Sequence, residues 1–175
     1  ANIEIPQKVT VHIDLGIITI KGEKGEVRRD FRDPGVTCGA KDNKIEFIAK
    51  DATKREKKRL YTYVAHTKNV LRGVQNGHVY RVKVCSGHFP MNVSLEKGEL
   101  VVKNFIGEKY PRRLKIPAGV EVKIDADTLT LKGCDKEKVS QCAANMEQLT
   151  RIPRKDRRIF QDGLYIIEKD GIPLE

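Results

Sequence analysis

The chain contains no tryptophan, and only ten of its 175 residues are aromatic, five Tyr and five Phe. No octet of glycines and aromatics occurs, which speaks against an RNP-type sheet that stacks bases on its surface. No run approaches 18 apolar residues, so no membrane-spanning helix is expected, and no charged start followed by an apolar stretch marks a secretory signal. The four cysteines (Cys38, Cys85, Cys134, Cys142) include no CxxC pair. A chain of this length does not need a disulfide framework, and a reduced, intracellular protein is expected. Cys85 and His88 have the spacing of half a zinc site, but structural zinc takes four ligands and no second pair stands at ligand spacing. Neither a metal nor a cofactor is expected. His12, His66, His78 and His88 are scattered, without an HExxH pattern or a nucleophile elbow. A phosphate loop of the GxxxxGK[ST] type is missing as well. Gly22-Glu-Lys-Gly25 has only the literal GxxG of a KH loop, and it lies between strand-like runs where a KH loop lies between helices. It is expected to be a β-turn with Lys24 at its tip, within reach of a phosphate.

What is abundant is positive charge. Lys and Arg number 34 against 24 Asp and Glu, a formal net charge of +10. An excess of this size asks for a polyanion, nucleic acid first. Its distribution is uneven. Residues 1–84 hold 18 basic and 10 acidic side chains, and residues 85–175 hold 16 and 14. Within the second half, residues 103–115 and 151–158 each carry five basic residues and one acid, while residues 50–59 carry six basic residues and two acids. The charge is gathered into short segments.

Internal repetition explains the length. A shift of 84 residues aligns Pro6-x-x-Val9-x-Val11 with Pro90-x-x-Val93-x-Leu95, Arg28-Arg29 with Arg112-Arg113, Gly35-Val36 with Gly119-Val120, and Asp51 with Asp135. A shift of 111 aligns residues 3–22 with 114–133 at nine identical positions, which implies that one hairpin type recurs. Two tandem domains are expected, 1–82 and 83–175. Val9, Val11 and Ile13 alternate with polar residues as in a half-buried strand, Ile18 and Ile20 continue that pattern after a turn, and Ile45, Phe47 and Ile48 form a later strand. Asp51 is placed to cap a helix whose apolar face is Leu60, Val64, Thr67, Leu71 and Val74, ended by Asn76-Gly77. In the second half, residues 79–84, 93–95, 100–102, 120–124 and 129–131 read as strands. Val139, Cys142, Ala143, Met146 and Leu149 form a helical stripe that Asp135 is placed to cap. Strands followed by one helix in each repeat imply an α+β fold, an antiparallel β-sheet with one long helix packed on one face, made twice.

The basic segments carry the binding chemistry. Lys54, Arg55, Lys57 and Lys58 open the first helix, where their charge opposes the helix dipole. Lys103, Asn104, Lys109, Arg112 and Arg113 lie on a connection whose shape Gly107 and Pro111 set. Arg151, Arg154, Lys155, Arg157 and Arg158 follow the second helix, which Pro153 prevents from continuing. Guanidinium forks suit phosphate oxygens better than ammonium groups do. Basic loops on a stiff sheet, without stacking aromatics, are expected to read the shape and phosphates of folded RNA. No small-molecule substrate and no membrane partner are expected.

Three segments then become recognisable: His88-Phe-Pro-Met-Asn-Val, Asn104-Phe-Ile-Gly-Glu-Lys-Tyr-Pro-Arg-Arg and Arg157-Arg-Ile-Phe-Gln-Asp-Gly-Leu-Tyr-Ile. The chain resembles the universal L-six family of large-subunit ribosomal proteins, called L-nine in eukaryotes, in its archaeal and eukaryotic branch. The bacterial branch has a Tyr-Lys-Gly-Lys-Gly type tail that is missing here. The resemblance implies two duplicated α+β domains, no catalysis, and a structural, rRNA-binding role in cytoplasmic large subunits. It places the protein near the sarcin–ricin loop and stalk base, with neighbouring ribosomal proteins and translational GTPases close by. It also implies that the second domain provides the main rRNA grip, through the ten residues named on its two basic segments. Lys24, Lys54, Arg55, Lys57 and Lys58 would then be peripheral contacts. Two alternatives remain on sequence grounds: an RNA-processing enzyme using His88 with Cys85 or Glu108, and a free regulatory nucleic-acid-binding protein.

Overall fold

Among its described residues the first repeat has six short strands and a long helix: β1 (Asn2–Glu4), β2 (Thr10–Asp14), β3 (Ile17–Gly22), β4 (Gly25–Asp30), β5 (Thr37–Lys41), β6 (Lys44–Ile48) and α1 (Lys54–Asn76). The computed structural model describes every residue except Asp42, Asp51, Arg157 and Glu175. Two antiparallel sheets result, in the orders β2-β3-β4 and β1-β6-β5. Ile18 and Ile20 are buried at alternate positions of β3, and Ile45 and Phe47 do the same on β6. With Val27, Phe31, Val36 and Ile3 they meet Val70, Leu71 and Val74 of α1 in one core.

The predicted apolar face of α1 is the one that packs, with Thr67, Leu71 and Val74 buried. Its cap differs from the expectation. Asp51 lies outside the described residues, and the helix starts behind Thr53, whose hydroxyl accepts from the Arg55 N–H at 3.3 Å. Glu56 reciprocates by accepting from the Thr53 N–H at 3.1 Å, so a capping box satisfies two amides left open at the helix start. At the other end, Gly77 takes φ 78° and donates to the Gly73 carbonyl. The expected turn at 22–25 docks there. The Lys24 N–H donates to the Val74 carbonyl, and a Cβ on Gly22 would stand 2.7 Å from that oxygen, so only glycine fits.

The second repeat contains β7 (His78–Cys85), β8 (Asn92–Glu96), β9 (Glu99–Lys103), β10 (Arg112–Lys115), β11 (Val120–Asp125), β12 (Thr128–Gly133), α2 (Lys136–Leu149), β13 (Gly163–Lys169) and β14 (Ile172–Pro173). Its antiparallel sheets are ordered β8-β9-β10 and β11-β12-β7-β13-β14. Val139, Cys142, Ala143 and Met146, four of the five predicted stripe residues, are fully buried against Val82, Leu100, Val102, Leu129, Leu131 and Leu164.

The duplication is visible strand by strand. β1-β6-β5 corresponds to β7-β12-β11, β2-β3-β4 to β8-β9-β10, and α1 to α2. The longer offset superposes the β2–β3 hairpin on β11–β12, whose closing pairs are Asp14 with Ile17 and Asp125 with Thr128. Within each repeat the strands divide between two sheets, because the β4–β5 and β10–β11 connections leave the meander. The second repeat alone adds β13 and β14, which place β7 in mid-sheet. Two compact units result, one of residues 1–77 with 134–136 and the other of 78–133 with 137–175. The expected division after residue 82 falls inside β7. That strand pairs with β12 and β13 along its length, so all of it belongs to the second unit.

Candidate nucleic-acid interface

In the second unit, the β9–β10 connection is anchored by Phe105, which is 1% exposed and enters the core. Burying such a ring contributes about 1.5–3 kcal/mol. A single 3₁₀ turn, Phe105–Gly107, reverses the chain around it, with Asn104, Ile106 and Gly107 all at positive φ. The Asn104 amide donates to the Pro90 carbonyl at 3.1 Å, tying this loop to the segment after β7. Asn104 therefore shapes the loop.

Arg112 departs from the expectation of a projecting phosphate ligand. Its side chain is only 24% exposed. Nε donates to the Glu108 carboxylate at 2.8 Å, and Nη2 meets the other carboxylate oxygen. Nη1 donates to the Leu149 carbonyl at 2.6 Å and reaches the Arg151 carbonyl at 3.3 Å. The guanidinium also lies 4.4 Å from the centre of the Phe105 ring. Every face of the fork is occupied, and the residue joins the β9–β10 loop to the start of the segment that follows α2.

That segment, residues 150–162, is held at both ends. The buried Thr150 hydroxyl donates to the Glu147 carbonyl and accepts the Leu164 N–H at 2.9 Å, stapling the end of α2 to β13. At the far end Asp162, 2% exposed, accepts from the Gly87 N–H at 2.7 Å, the His88 N–H at 2.9 Å and His88 Nδ1 at 2.7 Å. Burial pushes the Asp162 carboxyl up, but the His88 and Gly87 hydrogen bonds outweigh it and hold it below its ordinary value. The His88 ring stacks on Phe160 at 4.7 Å, and the Lys155 ammonium sits 4.4 Å from that ring's centre. Between them Asp156 pairs with Arg158, whose hydrogen bonds keep the Asp156 carboxyl below its usual range.

The other predicted cations fall into two groups. Lys103 pairs with Glu96 at 2.9 Å, and Arg113 stands 3.7 Å from Glu99; both are more than half exposed. Lys109, Arg151 and Arg154 are exposed and form no ion pair with the described residues. Arg157 lies outside the described residues. In the first unit, Lys54, Arg55, Lys57 and Lys58 are exposed along the start of α1 and Lys24 is exposed in its turn, whereas the adjacent Arg59 is held by Asp33 at 2.9 Å.

The sequence reading missed the Asp162–His88 link, because residues 74 apart leave no local pattern. The partners it weighed for His88 are engaged elsewhere in one case, Glu108 with Arg112. Among the described residues no group of His, Cys, Asp and Glu is arranged to hold a metal ion, and none of the four cysteines is joined in a disulfide.

Comparison with known proteins agrees with this architecture. The family model for ribosomal protein L6 matches twice, over residues 5–77 and 89–163. The large ribosomal subunit protein uL6 of Methanosarcina mazei is 41% identical over 167 residues, 95% of this chain and 95% of that protein. Its counterpart from Sulfurisphaera tokodaii is 41% identical over 174 residues, 99% of this chain and 94% of that protein. Both relatives are archaeal. Two family matches on two structural repeats, with relatives that align from end to end, lead to one assignment: the chain belongs to the ribosomal protein L6 family.

Proposed function

We propose that this chain is a structural constituent of the large subunit of the cytoplasmic ribosome, and that it grips large-subunit rRNA with the basic loops of its second unit. Family members are structural ribosomal proteins, so the chain is not an enzyme. The observation that carries the reading is the joining of the two basic loops by Arg112. One guanidinium bridges Glu108 to the Leu149 and Arg151 carbonyls, so both loops are held on one side of one unit. Lys109, Arg151 and Arg154 are then exposed cations without an ion pair among the described residues, with Lys103, Lys155, Arg113 and Arg158 beside them. Arg157 belongs to the same segment. Asn104 and Arg112 serve by positioning. Partners of loosely paired surface cations exchange readily for phosphates, because such pairs are worth little in water.

The expected site is the region of the sarcin–ricin loop and stalk base, with neighbouring ribosomal proteins and translational GTPases nearby. Lys24, Lys54, Arg55, Lys57 and Lys58 supply peripheral rRNA contacts from the first unit. Neutralising about six phosphates gives a plot of log affinity against log salt with a slope of roughly −4 to −5. Density-gradient sedimentation tests the assignment. The protein should migrate with large subunits after a moderate salt wash, and a free protein at the top of the gradient would refute it.

A further inference from the structure

His88 is built like half of a catalytic dyad, yet it sits in a protein with no reaction to perform. Its Nδ1–H is committed to a buried carboxylate that already accepts two backbone N–H groups, so the orientation of the ring is fixed. The ring is braced by its stack on Phe160. Its side chain is nonetheless 38% exposed, and Nε2 has no partner among the described residues. The group that is held so firmly therefore presents one free nitrogen, beside the basic 151–158 segment.

The charged groups facing the ring are the Asp162 carboxylate on Nδ1 and the Lys155 ammonium over the Phe160 ring. The β9–β10 loop packs against the segment that bears His88 through Asn104 on the Pro90 carbonyl and Gly107 against the Phe89 ring, and its own charged residues are Lys103, Glu108 and Lys109. A proton on Nε2 gives a cationic donor whose positive charge Asp162 balances from within. A phosphate oxygen is the acceptor that suits such a donor.

We propose that His88 is a proton-linked RNA contact, its Nε2–H donating to a backbone phosphate of the rRNA that the second unit grips. This rests on the rRNA-binding reading above. Protonation and phosphate binding then reinforce each other, so affinity rises as pH falls.

The test uses the full chain and a large-subunit rRNA fragment containing the sarcin–ricin stem, titrated from pH 5.5 to pH 8 at constant ionic strength. His88→Asn is the informative variant, because its amide replaces the Nδ1 donor to Asp162 while Nε2 is removed. Wild type should gain about tenfold in affinity toward low pH beyond any gain shown by the variant. Its salt slope should also steepen by about 0.7–0.9 at low pH. Contributions from His12, His66, His78 and the RNA itself are common to both proteins. Superimposable pH profiles, with the variant folded, would overturn the proposal and leave the rRNA reading standing. Absence of binding by wild type at every pH would instead overturn the rRNA reading. Should the variant fail to fold, the ring protons of wild-type His88 are followed by NMR. A rise in their titration midpoint on adding RNA is expected, and no change refutes the contact.

Discussion

Replacing Arg112 by alanine should weaken the fold and the RNA grip in a way that no phosphate ligand would. The substitution removes the donors to the Leu149 and Arg151 carbonyls, the Glu108 pair and the contact with the Phe105 ring. Hydrogen bonds from a charged donor contribute about 1.5–3 kcal/mol, a half-exposed ion pair about 0.5 kcal/mol, and a cation–π contact about 1 kcal/mol. Water replaces part of this bonding on the exposed side, leaving an expected loss of about 2–4 kcal/mol. With urea slopes of about 1–3 kcal/mol per molar, the unfolding midpoint of the second unit should fall by about 1 M or more. In filter binding, affinity for rRNA should drop while the salt slope stays unchanged, because no phosphate contact has been deleted. Arg113→Ala should show the opposite pattern, an unmoved urea midpoint and a slope reduced by about 0.9. An Arg112→Ala protein as stable as wild type, with its salt slope cut by that amount, would refute the positioning role and make Arg112 a direct ligand.

Three further outcomes are expected. Gly107→Ala should cost about 1–2 kcal/mol, since φ is 75° and the new Cβ would lie 3.3 Å from the Phe89 ring. Gly98→Ala, at φ 82° with open space around it, should cost less in the same urea assay, and equal losses would remove the steric part of the argument. Cys142 is buried and its thiol is pushed up to about 11 by that burial, so at pH 8 it should resist alkylation while Cys85 reacts, as read by peptide mass spectrometry. Labelling of Cys142 in the folded protein at the rate of Cys85 would contradict it. Asp162→Asn should lower stability at pH 7 by about 1–3 kcal/mol. Because the folded-state carboxyl is held below its ordinary value, that contribution is complete above about pH 4 and is lost as pH falls further, so the two proteins should converge in acid. A gap that persists to pH 2 would show that charge is not the cause.

Periodicity revealed the elements that bury a regular face. Ile18 with Ile20, Ile45 with Phe47, and the Val139 to Met146 stripe carry their burial in their spacing. The 84-residue offset revealed the duplication because paired arginines and strand residues kept their register between repeats. β10 and β13 were not legible. Arg112-Arg113-Leu114-Lys115 is too short and too charged to show alternation, and β13 owes its place to β7, some eighty residues earlier. The cap of α1 was misread because Asp51 and Thr53 are both good capping residues, and only the reciprocal Glu56 bond selects Thr53. At the interface, composition located the basic segments but not the division of labour within them. Arg112 and Arg113 are neighbours of the same type. Strand alternation turns one inward onto Phe105 and Glu108 and the other outward toward Glu99.

The placement of β13 also bears on when the protein becomes competent to bind. β7 emerges early in synthesis of the second unit, but its neighbour on one side is translated only after α2 and the arginine-bearing segment. Strand pairing across so long a separation is slow to form, and it waits for the late residues to clear the exit tunnel. The 150–162 segment is strung between α2 and β13, so its cations acquire their arrangement only once the sheet has closed. A nascent chain thus carries its charge long before that charge has a shape, which delays selective capture by RNA until β13 has paired with β7.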